Sequence, residues 1–409
     1  MMLGSSFNSQ HTKASRLSSS NELNFPIDLL IEILKRVPLK SLIRLTCVCK
    51  SWHSLLTSPT FISAHVSHNF AKINDGKSRN LHLFRQAIDV RSKDCRSEFY
   101  LFNTKTVSKP RKIKCPVGRK HFIVSSRDGL LCFFDFFSQN PETAPLILWN
   151  PSIKRMEVVR VPANRDVELT PGGFPKLIFG FGLDPISNDY MVVRIAYFNG
   201  CSGSTRFRAD MYGLGGGKWR GFDMSSVCQN LSTIRWRGVC LNGVIHWVCN
   251  VNVSFDDNDL VLRSILTFEL GSGKFGEIEL PKELSNVKNQ TVRVMAVPRG
   301  GNEVLGVIHK FGDSLSLWVM DKYGIKESWA KLFCGNIVNV VGNDINVGLI
   351  SEEVVVVQML SGYWFSHDVR TDERKVFRRM LKSTNYVDTY VESLILLGQG
   401  SVWPRKKLS

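Results

Sequence analysis

The hydrophobic pattern divides the chain into two unlike parts. Between Asn24 and Asn69 the apolar residues recur at helical spacing. The first set repeats at i, i+3, i+4 and i+7 and comprises Leu30, Ile33, Leu34 and Val37. Pro38 ends this helix because it lacks a backbone N–H and disfavours helix at the residue before it. A second set predicts two short helices or one bent helix: Leu42, Leu45, Val48, Cys49, Trp52, Leu55 and Leu56.

This helical stretch carries more apolar surface than it can bury on itself. About forty residues are too few to enclose so many large apolar side chains. Ile27 and Leu29 widen the first apolar face beyond an ordinary stripe. Helices that are apolar on more than one face need a second surface to cover them. The pattern therefore predicts that the rest of the chain, or a partner, covers this surface.

The same residues, taken in order, resemble the F-box found in the large plant families of F-box proteins. The resemblance rests on Pro26, Asp28-Leu29-Leu30, Ile33-Leu34, Val37-Pro38-Leu39-Lys40-Ser41-Leu42, Arg44 and Cys47-Val48-Cys49-Lys50-Ser51-Trp52. Phe25 stands where the family usually has Leu, and Thr46 stands where a basic residue is common. The resemblance implies a three-helix module that binds a Skp-type adaptor and, through it, a cullin-RING ligase of the SCF type.

The resemblance also assigns residues to the adaptor contact or to the helices that support it. They are Phe25, Pro26, Leu29, Leu30, Ile33, Leu34, Val37, Pro38, Leu42, Leu45, Val48, Cys49, Lys50 and Trp52. Some of these side chains must lie inside the module, and the sequence alone does not separate the two roles. The alternative interpretation is a small helical subdomain packed on its own chain.

From about residue 78 the pattern changes to short apolar runs broken by Gly, Asn, Asp, Ser or Pro, which indicates antiparallel hairpins. One hairpin type recurs, starting near residues 100, 148, 211, 267, 318 and 366, with a second hairpin between successive copies. Four strands per period of about 50 residues are typical of a kelch-like propeller. The sequence predicts an α+β multidomain protein whose large all-β domain has six propeller blades. The alternative is a β-sandwich with a second sheet.

Residues 127 to 397 also resemble the plant F-box-associated domain. The motifs are Asp128-Gly129-Leu130-Leu131-Cys132, Leu148-Trp149-Asn150-Pro151-Ser152, Gly180-Phe181-Gly182 with Asp184-Pro185, Asn242-Gly243 with His246-Trp247, and Glu327-Ser328-Trp329. The tryptophans at repeat-like positions are expected to fill the space between blades. The ring is expected to close by pairing Leu81–Phe84 with a last strand at Val391–Leu397.

The domain boundaries follow from these patterns. Residues 1–22 form a Ser-rich segment expected to be disordered, and residues 23–69 form the F-box. Residues 70–77 are a linker, 78–398 the propeller-like domain, and 399–409 a basic tail. The propeller-like domain is expected to have its own core and to fold without the helices.

Charge adds a candidate for target binding. The formal net charge is +17, which favours an acidic partner. Lys109, Arg111, Lys112 and Lys114 lie in the densest basic run and are weak candidates for contacting the target. The alternative is a solvated basic face. Nucleic acid is disfavoured as a partner, because aromatic residues are not interleaved in this run and no nucleic-acid-binding module is recognisable.

Other chemistry is sparse in this sequence. The longest apolar runs are shorter than the roughly 18 residues of a membrane helix. Ten cysteines without a C-x-x-C pair argue against zinc and favour a reducing compartment, the cytoplasm or nucleus. We find no catalytic constellation and expect no metal and no cofactor. The sequence predicts a non-catalytic substrate receptor of an SCF ligase. The alternatives are a propeller-based binding protein outside the ligase and a propeller enzyme.

Overall fold

The structure is a computed structural model. It describes residues 25–74, 82–89, 96–103, 110–115, 117, 121–138, 143–162, 176–199, 205–224, 227, 231–255, 258–285, 290–312, 314–336, 347–349, 353–358, 363–368, 370–379, 383–398 and 401–402. The predicted disordered segment 1–22 lies outside these residues. Among the described helices, none is long and apolar enough to cross a membrane.

Four helices open the described chain, and one short helix interrupts the later strands. They are α1 (Ile27–Leu34), α2 (Leu39–Leu45), α3 (Lys50–Leu56), α4 (Pro59–Asn74) and α5 (Lys282–Ser285). The predicted choice between two short helices and one bent helix is resolved as two, α2 and α3. The Ser58 hydroxyl accepts a hydrogen bond from the Phe61 N–H at 3.2 Å and so caps α4.

Helix α4 corrects the predicted boundary between the two parts. It continues through residues 70–74, which were assigned to the linker 70–77. Its apolar residues are divided between two partners, which weakens any single helical stripe. Phe61 packs into the core of the helical module, whereas Val66 and Phe70 pack against the β domain. The linker prediction is therefore wrong for residues 70–74.

The β domain is built from twenty-five described strands. They are β1 (His82–Asp89), β2 (Arg96–Asn103), β3 (Arg111–Ile113), β4 (His121–Arg127), β5 (Leu130–Asp135), β6 (Leu146–Asn150), β7 (Arg155–Val159), β8 (Lys176–Asp184), β9 (Asp189–Asn199), β10 (Thr205–Gly213), β11 (Lys218–Phe222), β12 (Leu231–Leu241), β13 (Val244–Phe255), β14 (Asn258–Glu269), β15 (Lys274–Glu279), β16 (Gln290–Arg299), β17 (Asn302–Phe311), β18 (Ser314–Met320), β19 (Trp329–Asn336), β20 (Val347–Leu349), β21 (Val354–Gln358), β22 (Tyr363–Asp368), β23 (Arg374–Arg379), β24 (Ser383–Tyr390) and β25 (Ser401–Val402).

The strands group into four-stranded antiparallel units arranged as a propeller. Unit 1 has the order β24-β1-β2-β3, and unit 2 is β4–β7 with β25 added at its outer edge. Units 3, 4, 5 and 6 are β8–β11, β12–β15, β16–β19 and β20–β23. One parallel bridge between Arg237 and Phe179 joins units 3 and 4. The described strands thus form five hydrogen-bonded sheets, so the predicted count of six separate blades is not confirmed. The predicted helical module followed by an all-β, propeller-like domain is confirmed.

The hairpins and tryptophans predicted from the repeats are present. The recurrent hairpin is the third and fourth strand of each unit, and the intervening hairpin is the first and second strand. Trp247 donates to the Phe179 carbonyl at 3.1 Å, across units 4 and 3. Trp329 donates to the Glu279 carbonyl at 3.0 Å, across units 5 and 4. These indoles fill the space between units and fix neighbouring sheets to one another.

The ring closes through its two ends, but with a different last strand from the one predicted. β24 pairs with β1, matching Tyr390 with His82 and Val387 with Arg85. Residues 391–397 form a buried turn rather than a strand, so that part of the prediction is wrong. In the predicted basic tail, β25 pairs with β7 through Ser401 and Val402.

The first strands of the units surround the axis, so the domain has two ends. We call the end that carries the β4–β5 turn and faces α4 the near mouth. The opposite end, where β4, β8 and β12 begin, is the far mouth. Val66 belongs to the same apolar core as Phe179 and Val192 of unit 3. The β domain therefore shares its core with α4, contrary to the expectation that its core is independent of the helices.

Candidate functional site

The helical module exposes a set of large apolar side chains. Each keeps more than half of its surface exposed: Phe25, Ile27, Leu29, Ile33 and Val48. Four of these residues come from α1 and the chain just before it, and Val48 comes from the turn between α2 and α3. So many exposed large apolar residues in so short a stretch indicate a surface that another protein covers. We call this set the apolar face.

The structure separates the fourteen predicted adaptor residues by burial. Pro26, Pro38, Cys49 and Lys50 are exposed beside the apolar face. Leu30, Val37, Leu45 and Trp52 are half-buried. Leu34 and Leu42 are buried in the module core, so they hold the helices together. Ile27 is exposed and was not among the predicted contacts, although the sequence analysis had noted that it widens the face.

The turn at residues 391–398 connects the helical module to the propeller, and we call it the strap. Leu394 and Leu397 pack into the helical core with Leu42 and Phe61. Their neighbours in sequence, residues 395 and 396, pack into the core of units 2 and 3. Adjacent side chains of one short turn therefore enter two different cores. This arrangement fixes the apolar face relative to the propeller.

A buried amide holds the strap in place. The side-chain nitrogen of Asn150 lies 3.0 Å from the Ser393 carbonyl oxygen and 2.9 Å from the Ile395 carbonyl oxygen. The Asn150 side-chain oxygen accepts the Ser152 N–H at 2.9 Å. Gly129 has φ +80°, and a Cβ there would come within 2.3 Å of the Val391 carbonyl oxygen. The Asp128-Gly129 and Asn150-Pro151 turns of unit 2 therefore contact the strap and leave room for its backbone.

An ion-pair network spans the near mouth beneath α4. Arg127 Nη1 lies 2.7 Å from a Glu303 carboxylate oxygen, which joins units 2 and 5. Arg127 Nε lies 3.2 Å from Asp128, whose carboxylate accepts the Tyr190 hydroxyl at 2.8 Å. The Arg127 guanidinium also lies 5.6 Å from the ring centre of Phe70 on α4. The network connects three units and the helical module.

The central channel carries further polar groups, and its described carboxylates are engaged by neighbouring side chains. Asp388 Oδ2 accepts hydrogen bonds from Ser126 at 2.9 Å and from Tyr386 at 2.8 Å. Asp128 and Glu303, which also line the channel, are engaged by Arg127. Burial and the charge of Asp388 raise the pKa of Tyr386 well above its usual value, so this phenol stays protonated. Within the described residues, no cluster suited to a metal ion occurs.

The described part of the basic run lies on the outer strand of unit 1, away from the centre of either mouth. Arg111 and Lys112 are exposed on β3, the outer strand of unit 1, and Lys114 follows it. Lys112 Nζ pairs with Glu98 at 2.6 Å, which reduces the net charge of this surface. Lys109 lies outside the described residues. The role of these residues in target binding stays a prediction.

Comparison with known proteins gives the same division of the chain. Residues 23–63 match the F-box domain, and residues 85–351 match the F-box associated beta propeller domain. The second match spans more than half of the chain. This chain belongs to the F-box proteins with an F-box associated beta propeller domain.

Relatives of this chain occur in Arabidopsis thaliana. An F-box/kelch-repeat protein is 26% identical over 315 residues, covering 76% of this chain and 79% of its own length. Another F-box protein is 25% identical over 339 residues, covering 75% of this chain and 72% of its own.

Proposed function

We propose that this F-box protein is a substrate receptor of an SCF-type ubiquitin ligase. The apolar face binds a Skp-type adaptor, and through it a cullin-RING ligase. The propeller binds a protein target and brings it close to the ubiquitin-charged enzyme. Its contribution is proximity, because holding two reactants together raises their effective concentration.

The apolar face is the observation that carries the proposal. Leu29 and Ile33 lie one helical turn apart on α1 and are both exposed, so the two side chains present one surface. A buried role does not account for them, because Leu34 and Leu42 already fill the module core with the strap. Large apolar residues at the centre of an interface commonly contribute most of its binding energy.

The test is co-purification of the full-length protein with the adaptor and cullin. Leu29→Asp combined with Ile33→Asp should abolish co-purification, because a single interface hot spot contributes at least about 2 kcal/mol, or roughly thirtyfold in affinity. Val376→Asp is the control, since Val376 is also a largely exposed apolar residue but lies on β23 of the propeller. Adaptor binding that survives the double substitution in a folded protein would contradict the proposal.

Substitutions of buried F-box residues would not test the interface. Leu34→Ala removes a side chain from the module core, where such a change costs about 2–5 kcal/mol of folding free energy. A loss of adaptor binding in that variant would report on folding of the module. The exposed positions Leu29 and Ile33 avoid this ambiguity.

The proposal includes a non-catalytic role and a cytoplasmic or nuclear location. The channel carboxylates of the described residues serve the ion pairs and hydrogen bonds that connect propeller units. Ten cysteines without paired spacing fit a reducing compartment. Imaging of a fluorescent fusion tests the location. A binding protein that acts outside the ligase would show target binding without adaptor or cullin.

A further inference from the structure

A groove of about 800 Å³ opens at the far mouth, on the end of the propeller turned away from α4. Units 2, 3 and 4 all contribute to it through the starts of β4, β8 and β12. Its volume is in the range of pockets that bind small ligands or a few side chains of a peptide. The F-box does not contribute to its described lining.

The groove is lined by a continuous set of aromatic rings. Phe134 lies at its base, fully buried, with its ring centre 5.0 Å from that of Phe136. Phe136 lies 5.6 Å from Trp236 in an edge-on arrangement, and 6.1 Å from Phe122. Phe137 completes the rim and is 61% exposed. A large aromatic side chain exposed beside other rings offers a surface for another aromatic or large apolar group.

Local backbone features place these rings at the mouth. The Phe137 N–H donates to the Asp135 carboxylate at 2.9 Å, and this turn directs the chain outward at the end of β5. In β12, three residues between Ile234 and Gly238 stand opposite a single residue of β13. Such a bulge turns side chains away from the regular pleat, and here it includes Trp236. Two unrelated irregularities thus converge on one groove.

The described lining of the groove is positively charged. Lys176 and Arg235 are exposed at its edge, and its described lining contains no carboxylate. Lys176 Nζ lies 5.6 Å from the Tyr197 ring centre. A positively charged lining favours a partner that carries negative charge.

We propose that this groove binds a segment of the target protein in which an aromatic or large apolar side chain is flanked by Asp or Glu. The apolar side chain enters among Phe136, Phe137 and Trp236, and the carboxylates pair with Lys176 and Arg235. This inference rests on the proposed function and adds to it the mouth that is used and the chemistry of the recognised segment.

The experiment is a selection from a random peptide library on the immobilised full-length protein. Enriched peptides are synthesised, and their affinities are measured by fluorescence anisotropy. The expected consensus is an aromatic or large apolar residue with acidic neighbours. Trp236→Ala, and separately Lys176→Glu with Arg235→Glu, should each weaken binding at least about tenfold.

A matched control separates the groove from general charge. Arg374→Glu with Lys375→Glu makes the same charge change on β23, the outer strand of unit 6, and peptide affinity should stay within about twofold. The groove proposal is overturned if no peptide prefers the wild type over Trp236→Ala, or if the consensus is basic. It is also overturned if the control weakens binding equally, or if groove substitutions abolish a dimer of this chain.

Adaptor co-purification from the same protein samples keeps the two proposals separate. Peptide selection involves neither the adaptor nor the cullin. If the adaptor binds and the groove selects no peptide, only the groove proposal fails. If the groove selects acidic–aromatic peptides and the adaptor does not bind, the ligase role fails and the recognition surface stands.

Discussion

The two mouths of the propeller differ in how far their side chains are engaged within the described chain. At the near mouth, α4, the strap and the Arg127 ion pairs cover the turns and join the propeller to the F-box. At the far mouth, aromatic rings stay uncovered within the described residues. The near mouth holds a groove of about 770 Å³ lined by Asp128, Asp189 and Glu303, with Arg127 as its cation.

Under the groove proposal, one fold combines attachment of the F-box at the near mouth with recognition at the far mouth. Near-mouth side chains are engaged by partners in the same chain, so they contribute to folding. At the far mouth Phe137, Lys176 and Arg235 are exposed, so these side chains contribute to stability only slightly. Substitutions at the near mouth should therefore lower the free energy of unfolding, and substitutions at the far mouth should lower affinity. Four predictions test this comparison, from the largest expected effect to the smallest.

Leu394→Ala should give the largest loss of stability. Leu394 is fully buried between α2, α3 and α4, and truncating a packed leucine costs about 2–5 kcal/mol. Urea unfolding measures the change in free energy, with Val376→Ala as an exposed control. An unchanged midpoint would mean that the strap does not join the two parts.

Asn150→Ala should lower the free energy of unfolding by about 1–3 kcal/mol. The substitution leaves the strap carbonyls of Ser393 and Ile395 without their buried donor. Asn150→Asp keeps the acceptor for the Ser152 N–H but cannot donate. A loss in Asn150→Asp at least as large as in Asn150→Ala, measured by thermal and urea unfolding, would identify the donated bonds as the cause, because a carboxylate buried beside two carbonyl oxygens is further destabilising. A neutral Asn150→Asp would refute that assignment.

His246 should make the near mouth sensitive to acid. Burial lowers the pKa of His246 to about 4, and its Nε2 lies 2.8 Å from the Tyr323 hydroxyl of unit 5. The unfolded state binds this proton near pH 6.5, so the contribution to stability is complete above pH 6.5 and is lost as the pH falls toward 4.

Between pH 7 and pH 5 this group should account for about 2 kcal/mol of lost stability. His246→Gln should reduce the difference in unfolding free energy between those two pH values by that amount. Equal pH dependence in wild type and variant would show that other groups cause the acid sensitivity.

Phe137→Ala should have the smallest effect on stability, within about 0.5 kcal/mol, because Phe137 is largely exposed. Its affinity for an acidic–aromatic peptide should nevertheless fall. Paired unfolding and anisotropy measurements on the same sample test both statements. A large loss of stability would place the far mouth in the folding core and remove the contrast between the mouths.

Local sequence signals predicted the elements whose structure depends on residues close together in the chain. The F-box helices follow from apolar spacing and Pro38, and the hairpins follow from apolar runs broken by turn residues. The tryptophans between units were predicted from their positions in the repeat, because a large ring is required wherever two sheets pack. Because these features depend on residues a few positions apart, short sequence patterns are enough to predict them.

Other features depend on which surfaces meet. The apolar run at Leu394–Leu397 indicates a strand as well as a buried turn, because a short buried run lacks a distinguishing period. Its function as a strap requires two cores on either side of it. Helix α4 continues past residue 69, where the sequence pattern had ended the helical part. The pattern missed this because the two apolar faces of α4 contact different partners.

The sequence by itself determined the F-box, the hairpin repeat and the excess of apolar surface that calls for a partner. Tertiary structure alone decided which of those apolar residues are exposed, and it closed the ring through Ser383–Tyr390. It also brought Phe136, Lys176 and Trp236 from three units into one groove. The physical reason is that burial, charge and contact at such sites are set by residues far apart in the chain.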